Sequence, residues 1–234
     1  MQKRGIGHIE FILSFIIFIA FVTFAIFIFN PLKSTNLSGS SLPYIADNIN
    51  ENASVDLTTF SVKINKNKIP LETVIAVDIF EINFENKLRV ESYSGKLLPS
   101  RKEGSTIYFD FDNENFVLAK FSKDLDSYSG FTKSAALDGS YYEIASSRTE
   151  KIISEKRLLE LNETYYENYE EIRKNFNLPG NINFAFKVTF SENDFIIAER
   201  RIPEGIDVFS NIKRVEILRK DGTASFADVE VKIW

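Results

Sequence analysis

Cysteine is absent from the chain, and histidine occurs once, at His8. The first absence removes disulfides, thiolate metal sites and thiol nucleophiles together. The second removes Ser-His-Asp and Cys-His catalysis from everything beyond the N-terminal segment. None of the ten glycines falls in a phosphate-loop pattern. Lys and Arg number 28 against 33 Asp and Glu, a balance that disfavours general nucleic-acid binding. Ser-Lys or paired-carboxylate chemistry is spatial and leaves no linear signature. No residue pattern points to it, so the expectation is no enzyme and no cofactor.

Metal binding has one weak trace. Asp110, Asp112 and Glu114 have the 1-3-5 spacing of a calcium loop. The sixth position is Asn115 instead of Gly, and the twelfth is Phe121 instead of Glu. A turn with exposed acids explains the spacing better, and no metal is expected.

Charge is missing from residues 11–29, "FILSFIIFIAFVTFAIFIF". As a helix this run rises roughly 28 Å, close to a bilayer core. Phe15, Phe18, Phe21, Phe24 and Phe27 recur every third residue, so their rings spiral round the helix and leave no polar face. Lys3 and Arg4 precede the run and Lys33 follows it. The positive-inside rule then predicts a single-pass helix with a cytoplasmic N-terminus and an extracytoplasmic body. No small-residue cleavage site follows directly, so an uncut anchor at the cell membrane is expected.

Upstream stands "KRGIGHIEF", with Glu10 five positions after Gly5. Lys3-Arg4-Gly5, then apolar Ile6, Glu10 and the long apolar run, resembles the class III signal peptide of type IV pilin-like and pseudopilin-like proteins. The likeness covers about residues 1–30. It implies a cut between Gly5 and Ile6 by a prepilin-peptidase-like enzyme, with the helix retained for anchoring and assembly. It further implies that Glu10 neutralises the new amine of a neighbouring copy, because an unpaired carboxylate near an apolar interior is costly. The body would then serve cell-surface display or adhesion, in a protein of archaeal type. The simpler alternative places Glu10 and His8 in the headgroup zone of an anchored binding module that is neither processed nor assembled. Expected partners are the membrane, the processing enzyme and copies of the chain, with no nucleic acid.

The predicted organisation is a leader at 1–5, the apolar helix at 6–30, and a Ser/Asn-rich linker at 31–55 with a helical turn near 43–50. A β-rich region at 56–147 follows, then a helix-plus-hairpin region at 148–234, the two read as one body of mixed class. Phe60, Val62 and Ile64 alternate with polar residues, as a half-buried strand requires. In "ETVIAVDIFEINFEN" the apolar phase slips near Ile79-Phe80, which predicts a bulge or a doubly buried strand. "TIYFDFDNENFVLAKF" reads as a hairpin turning near Asn113, with Ile107, Phe109 and Phe111 inward. Residues 148–177 lack Gly and Pro. Leu158, Leu161, Tyr165, Tyr169, Ile172 and Phe176 lie at steps of three and four, which predicts one long amphipathic helix stopped at Pro179-Gly180. Phe184, Phe186, Val188 and Phe190 alternate again, and a last hairpin turns at Asp221-Gly222.

The fold class expected is therefore α+β, mostly β: an N-terminal transmembrane helix, then an antiparallel-sheet ectodomain carrying one long helix at about 148–177. Asn36, Asn52 and Asn162 begin glycosylation sequons. This composition yields roughly three such triplets by chance.

Overall fold

The computed structural model describes residues 6–28, 35–69, 74–79, 85–111, 113–126 and 141–234, with the backbone alone at 6–10, 25–28 and 35–40. The apolar run forms helix α1, Ile6–Ile28. Its described side chains extend from Phe11 to Phe24, a rise of about 21 Å against about 30 Å of bilayer hydrocarbon. Among the described residues no helix is long and apolar enough to cross a membrane. The expected transmembrane anchor, single-pass topology and cell-surface location are corrected on that finding.

The expected linker is a second helix, α2, Thr35–Ala53, with Pro43 inside it. Its polar composition hid a buried face, for Ile45, Ile49 and Ala53 are almost fully inaccessible. Strand β1, Ser54–Ile64, follows directly. The next strands are β2 (Val74–Asp78), β3 (Lys87–Ser92), β4 (Leu97–Leu98), β5 (Ser100–Glu103), β6 (Thr106–Asp110) and β7 (Phe116–Ser122). Then come β8 (Tyr142–Ser154), α3 (Glu155–Glu167), α4 (Tyr169–Asn175), β9 (Phe184–Ser191), β10 (Asp194–Ala198), β11 (Phe209–Leu218) and β12 (Ala224–Ile233).

The strands form a nine-stranded sheet, β10-β9-β12-β11-β8-β1-β7-β3-β4, and a three-stranded sheet, β2-β6-β5. The expected all-antiparallel sheet is corrected to a mixed one, because β11 runs parallel to β8. That pairing is brief, Ile217 with Ile153 and Leu218 with Ser154. Beyond it β8 and β11 part, and residues 143–149 and 209–214 are exposed on both faces.

Two cores result. The small sheet packs on β1, β3 and β7, burying Val62, Ile75, Val90, Ile107, Phe109 and Phe121. Alternation placed Ile107 and Phe109 inward as expected. The expected hairpin is instead a corner between sheets, since β6 pairs with β2 and β5 while β7 pairs with β1 and β3. Asn113 sits there at φ 57, a left-handed conformation that asparagine tolerates better than most residues. The predicted bulge at Ile79-Phe80 falls partly outside the described residues. A register shift appears instead between Ser61 and Val62.

The second core lies between the helices and β9, β11 and β12, around Tyr165, Phe176, Phe184, Phe186 and Val231. The predicted helical stripe is buried at Leu158, Tyr165, Tyr169, Ile172 and Phe176. The predicted long helix is shorter and broken. Residues 148–153 are strand, paired with residues 54–59 of β1. Ser154 then caps α3, accepting from the Arg157 N–H, as its short hydroxyl side chain favours. Asn168 interrupts the run at φ −143 before α4 begins.

Val55, Leu57, Leu125, Ile152 and Leu218 fill the junction between the two cores. A polar clamp borders it: the Asp124 carboxylate, 3 % exposed, lies 3.0 Å from Nε of Arg157. Arg157→Ala leaves that carboxylate buried without its partner, so we expect a loss of about 2 kcal/mol in urea unfolding. Asp124→Asn in the same background should restore part of it.

Candidate functional site

Strand β1 ends at the far tip of the sandwich, remote from the junction. Beyond it Asn65 leads into a single 3-10 turn, Lys66–Lys68. The chain turns because the Lys68 N–H donates to Asn65 O at 3.0 Å. Either side of the β1 end is tied down by backbone. Ile64 N–H donates to Asn115 O at 2.8 Å, and Asn65 N–H donates to Tyr141 O at 2.9 Å. Between these ties opens a cleft of about 690 Å³.

Ile64, Phe116, Tyr141 and Tyr142 are among its lining residues. Phe116 lies on the face of Lys63 and Glu143, and Tyr142 on the face of Ile64, where both tyrosines pack against the small-sheet core. Tyr142 is held in place because its Oη accepts from the Asp78 N–H at 2.9 Å. Phe116 faces Lys63 across the ladder, and Lys63 faces Glu143. The ring of Phe116 remains 37 % exposed. Lys63 Nζ and a Glu143 carboxylate oxygen form an exposed ion pair at 3.8 Å. Asn65, Asn67 and Asn115 complete the rim. Their side-chain amides make no hydrogen bond among the described residues.

Among the described lining residues Glu143 is the one carboxylate, and it is paired with Lys63. General acid–base hydrolysis of a glycosidic bond needs two. The described residues contain no group of three or more side chains suited to a metal. At the suspected calcium loop, Glu114 accepts from Ser94 Oγ at 2.7 Å and from the Ser94 N–H at 3.3 Å. Those bonds hold its carboxyl below the usual range and clamp the β3–β4 turn. Asp112 lies outside the described residues.

The residues singled out from sequence lie elsewhere. Lys3, Arg4 and Gly5 are outside the described residues, and Ile6 and Glu10 belong to α1 by backbone only. Asn36 and Asn52 fall in α2. Asn52 is exposed and donates through Nδ2 to Asn48 O at 2.8 Å. Asn162 is half-buried in α3. Asn52 and Asn162 are not among the described residues that line the cleft. Sequence reading missed the cleft because its parts come from three separate segments. The adjacent Tyr141-Tyr142 and the Asn65-Lys66-Asn67 turn were the available signals.

No family model, curated protein or solved structure matches the chain. With the absence of a membrane span among the described helices, this overturns the pilin-like resemblance and the membrane-anchored role drawn from it.

Proposed function

We propose that the protein is a non-enzymatic binding module whose ligand sits in the cleft at the tip of the sandwich. The observation that carries this reading is a cleft of about 690 Å³ whose described lining gathers Phe116, Tyr141 and Tyr142 with Asn65, Asn67 and Asn115 from three separate segments. That volume and that mix of ring and polar group suit a small-ligand site. Glu143, the one carboxylate among the described lining residues, is paired with Lys63, which supports recognition without turnover. The test is a thermal-shift screen of small-molecule and oligomer ligands on the full chain. A true ligand should raise the melting temperature, and Phe116→Ala should weaken its binding at least tenfold. A ligand whose effect is unchanged in Phe116→Ala and Asn67→Ala variants places the binding site elsewhere and refutes the reading.

A second reading concerns copies of the chain and rests on α1. Its phenylalanine, isoleucine and leucine side chains between Phe11 and Phe24 keep 47 % to 74 % of their surface exposed. Together they expose on the order of 1,000 Å², comparable to one side of a standard interface. An apolar surface of this size is normally covered by another molecule. Because every side of the helix is apolar, several neighbours are needed, and identical helices supply them. Phe18→Asp should then lower the cross-linked assembly order. If wild-type chain is monomeric at all concentrations, this second reading fails.

A further inference from the structure

We infer that the fork between β8 and β11 takes an extended polypeptide segment of a partner, acidic on the side facing α2, as the strand between them. Residues 144–151 and 209–216, which form the fork, are not among the described lining of the tip cleft. The inference stands apart from that reading.

Sheet direction is the first argument. In the nine-stranded sheet the ladder of β8 with β11 is parallel, and all the others are antiparallel. The parallel ladder stops after Ile217 with Ile153 and Leu218 with Ser154. Beyond it, among the described residues, β8 is paired with β1 alone and β11 with β12 alone. Residues 144–151 and 209–216 therefore leave two unpaired edges that part from one closed end. Each edge turns about four N–H and four C=O groups towards the fork. Because β8 and β11 run the same way, one strand can be antiparallel to both. It would be held by main-chain bonds on both sides. A folded sheet from a second copy does not fit between two strands joined at their ends, so the occupant is a single segment.

Side chains supply the second argument. Alternation puts Lys151 on the face of Ile153, and Lys213 and Val215 on the face of Ile217. Ile153 and Ile217 belong to the helical core, so this is the face towards α2. Asp56 stands opposite Lys151 across β1, and Asp47 of α2 shares a groove with Lys213. Neither lysine closes an ion pair among the described residues. On this face β8 and β11 carry no acid within the fork. On the other face Arg148 already pairs with Glu150. Exposed lysines guard an edge against indiscriminate pairing, and the same charges select an acidic strand. At the open end Ile144 and Phe209 stand on the α2 face, opposite Val62 and Ile233, and remain 39 % and 40 % exposed.

Register turns this into a pattern. Continued from Ile153 with Ile217, it aligns Lys151 with Val215, Thr149 with Lys213, and Ala145 with Phe209. An antiparallel strand of about eight residues starts at the closed end. Its first and third side chains meet Lys151 and Lys213, and its seventh lies between Ile144 and Phe209. Acids suit the first two places and an apolar residue the last.

The experiment combines titration calorimetry and hydrogen exchange on the full chain with eight-residue peptides. The acidic set has Glu at its first and third positions, Val, Ile or Phe at its seventh, and Thr elsewhere. A basic set has Lys in place of Glu, and a blocked set has Pro at its fourth and fifth positions. Saturable binding of the acidic set is expected, with exchange slowed about tenfold along both 144–151 and 209–216. Lys151→Glu combined with Lys213→Glu should weaken that binding about tenfold and admit the basic set instead. Both lysines are exposed, and gain of the basic set would itself show that the variant folds. The inference fails if no acidic peptide binds, or if the basic or blocked set binds the unmodified chain equally well. Slowing along one edge alone would mean addition to an edge without insertion, and also overturns it. Edges that exchange slowly before any peptide is added would mean another occupant. That occupant is a second copy if protection rises with protein concentration, and the same chain if it does not.

Discussion

Replacing Tyr165 with Ala should cost about 4 kcal/mol of folding stability, read as a lower midpoint in urea unfolding. That is a large share of the 5–15 kcal/mol that separates a typical domain from its unfolded state. Tyr165 is fully buried. Its ring meets Tyr169 at 4.9 Å, Tyr166 and Phe184 at 5.5 Å and Phe186 at 6.2 Å, all near edge-to-face. Its hydroxyl donates to Phe184 O at 2.7 Å, joining α3 to β9. Truncation would open a cavity between the helices and the sheet and leave that carbonyl without its partner. Tyr165→Phe keeps the ring and loses the bond, so its cost should be nearer 1 kcal/mol.

The same cluster predicts a pH response. Burial pushes the hydroxyls of Tyr165 and Tyr169 above the ordinary tyrosine range. A raised folded-state value means the folded protein holds its proton longer than the unfolded chain does. The stability involved is whole below about pH 10, where unfolded tyrosine begins to ionise, and is lost as pH rises further. Unfolding free energy should therefore fall steeply above about pH 10, and Tyr165→Phe should show a shallower fall. A slope equal to wild type would assign the alkaline response to other groups.

How far these features were legible in sequence depends on how local their signals are. The Tyr165 stripe was readable because its members lie at helical spacing within one segment, and all face one core. The last hairpin was readable for the same reason, with Asp221-Gly222 between two alternating runs. Residues 148–153 were misread because an absence of Gly and Pro is equally compatible with a strand. What decides their state is the partner, residues 54–59 of β1, far away in sequence. Helix α2 was read only as a helical turn near 43–50, because Ser, Asn, Gly and Pro outweigh a buried stripe of few residues, Ile45, Ile49 and Ala53 among them. The parallel contact of β11 with β8 leaves no local mark either. The cleft lies at that same limit: the 65–67 turn, Asn115-Phe116 and Tyr141-Tyr142 converge only after β7 and β8 have flanked β1.

Gly222→Val should cost about 3 kcal/mol, and Gly222→Ala about 2, from two sources of similar size. The first is backbone. Gly222 sits at φ +88, where a Cβ is strained and a β-branched side chain more so. The second is space. A Cβ here would stand 2.8 Å from Cγ of Arg89 and 3.4 Å from Cδ2 of Leu125, both in the junction region. The turn cannot move away readily. Asp221 Oδ1 accepts from the Thr223 N–H at 2.9 Å, Lys220 O accepts from the Asp126 N–H at 3.0 Å, and Glu155 Oε2 accepts from the Lys220 N–H at 3.1 Å. Gly222→Asn separates the two sources, because asparagine tolerates the left-handed backbone and still carries the Cβ. It should fall between wild type and Ala, and a value equal to Ala would assign the whole cost to the clash with Arg89. Hydrogen exchange supplies the functional contrast. The β11–β12 turn and the junction pair Ile217–Leu218 should exchange faster in Gly222→Val. Ile64 and Asn65 at the opposite end of β1 should keep their protection, since their bonds to Asn115 and Tyr141 do not pass through the junction. Loss of protection at both ends would mean that the two cores unfold as one unit, and that binding at the cleft is coupled to the stability of the helical core.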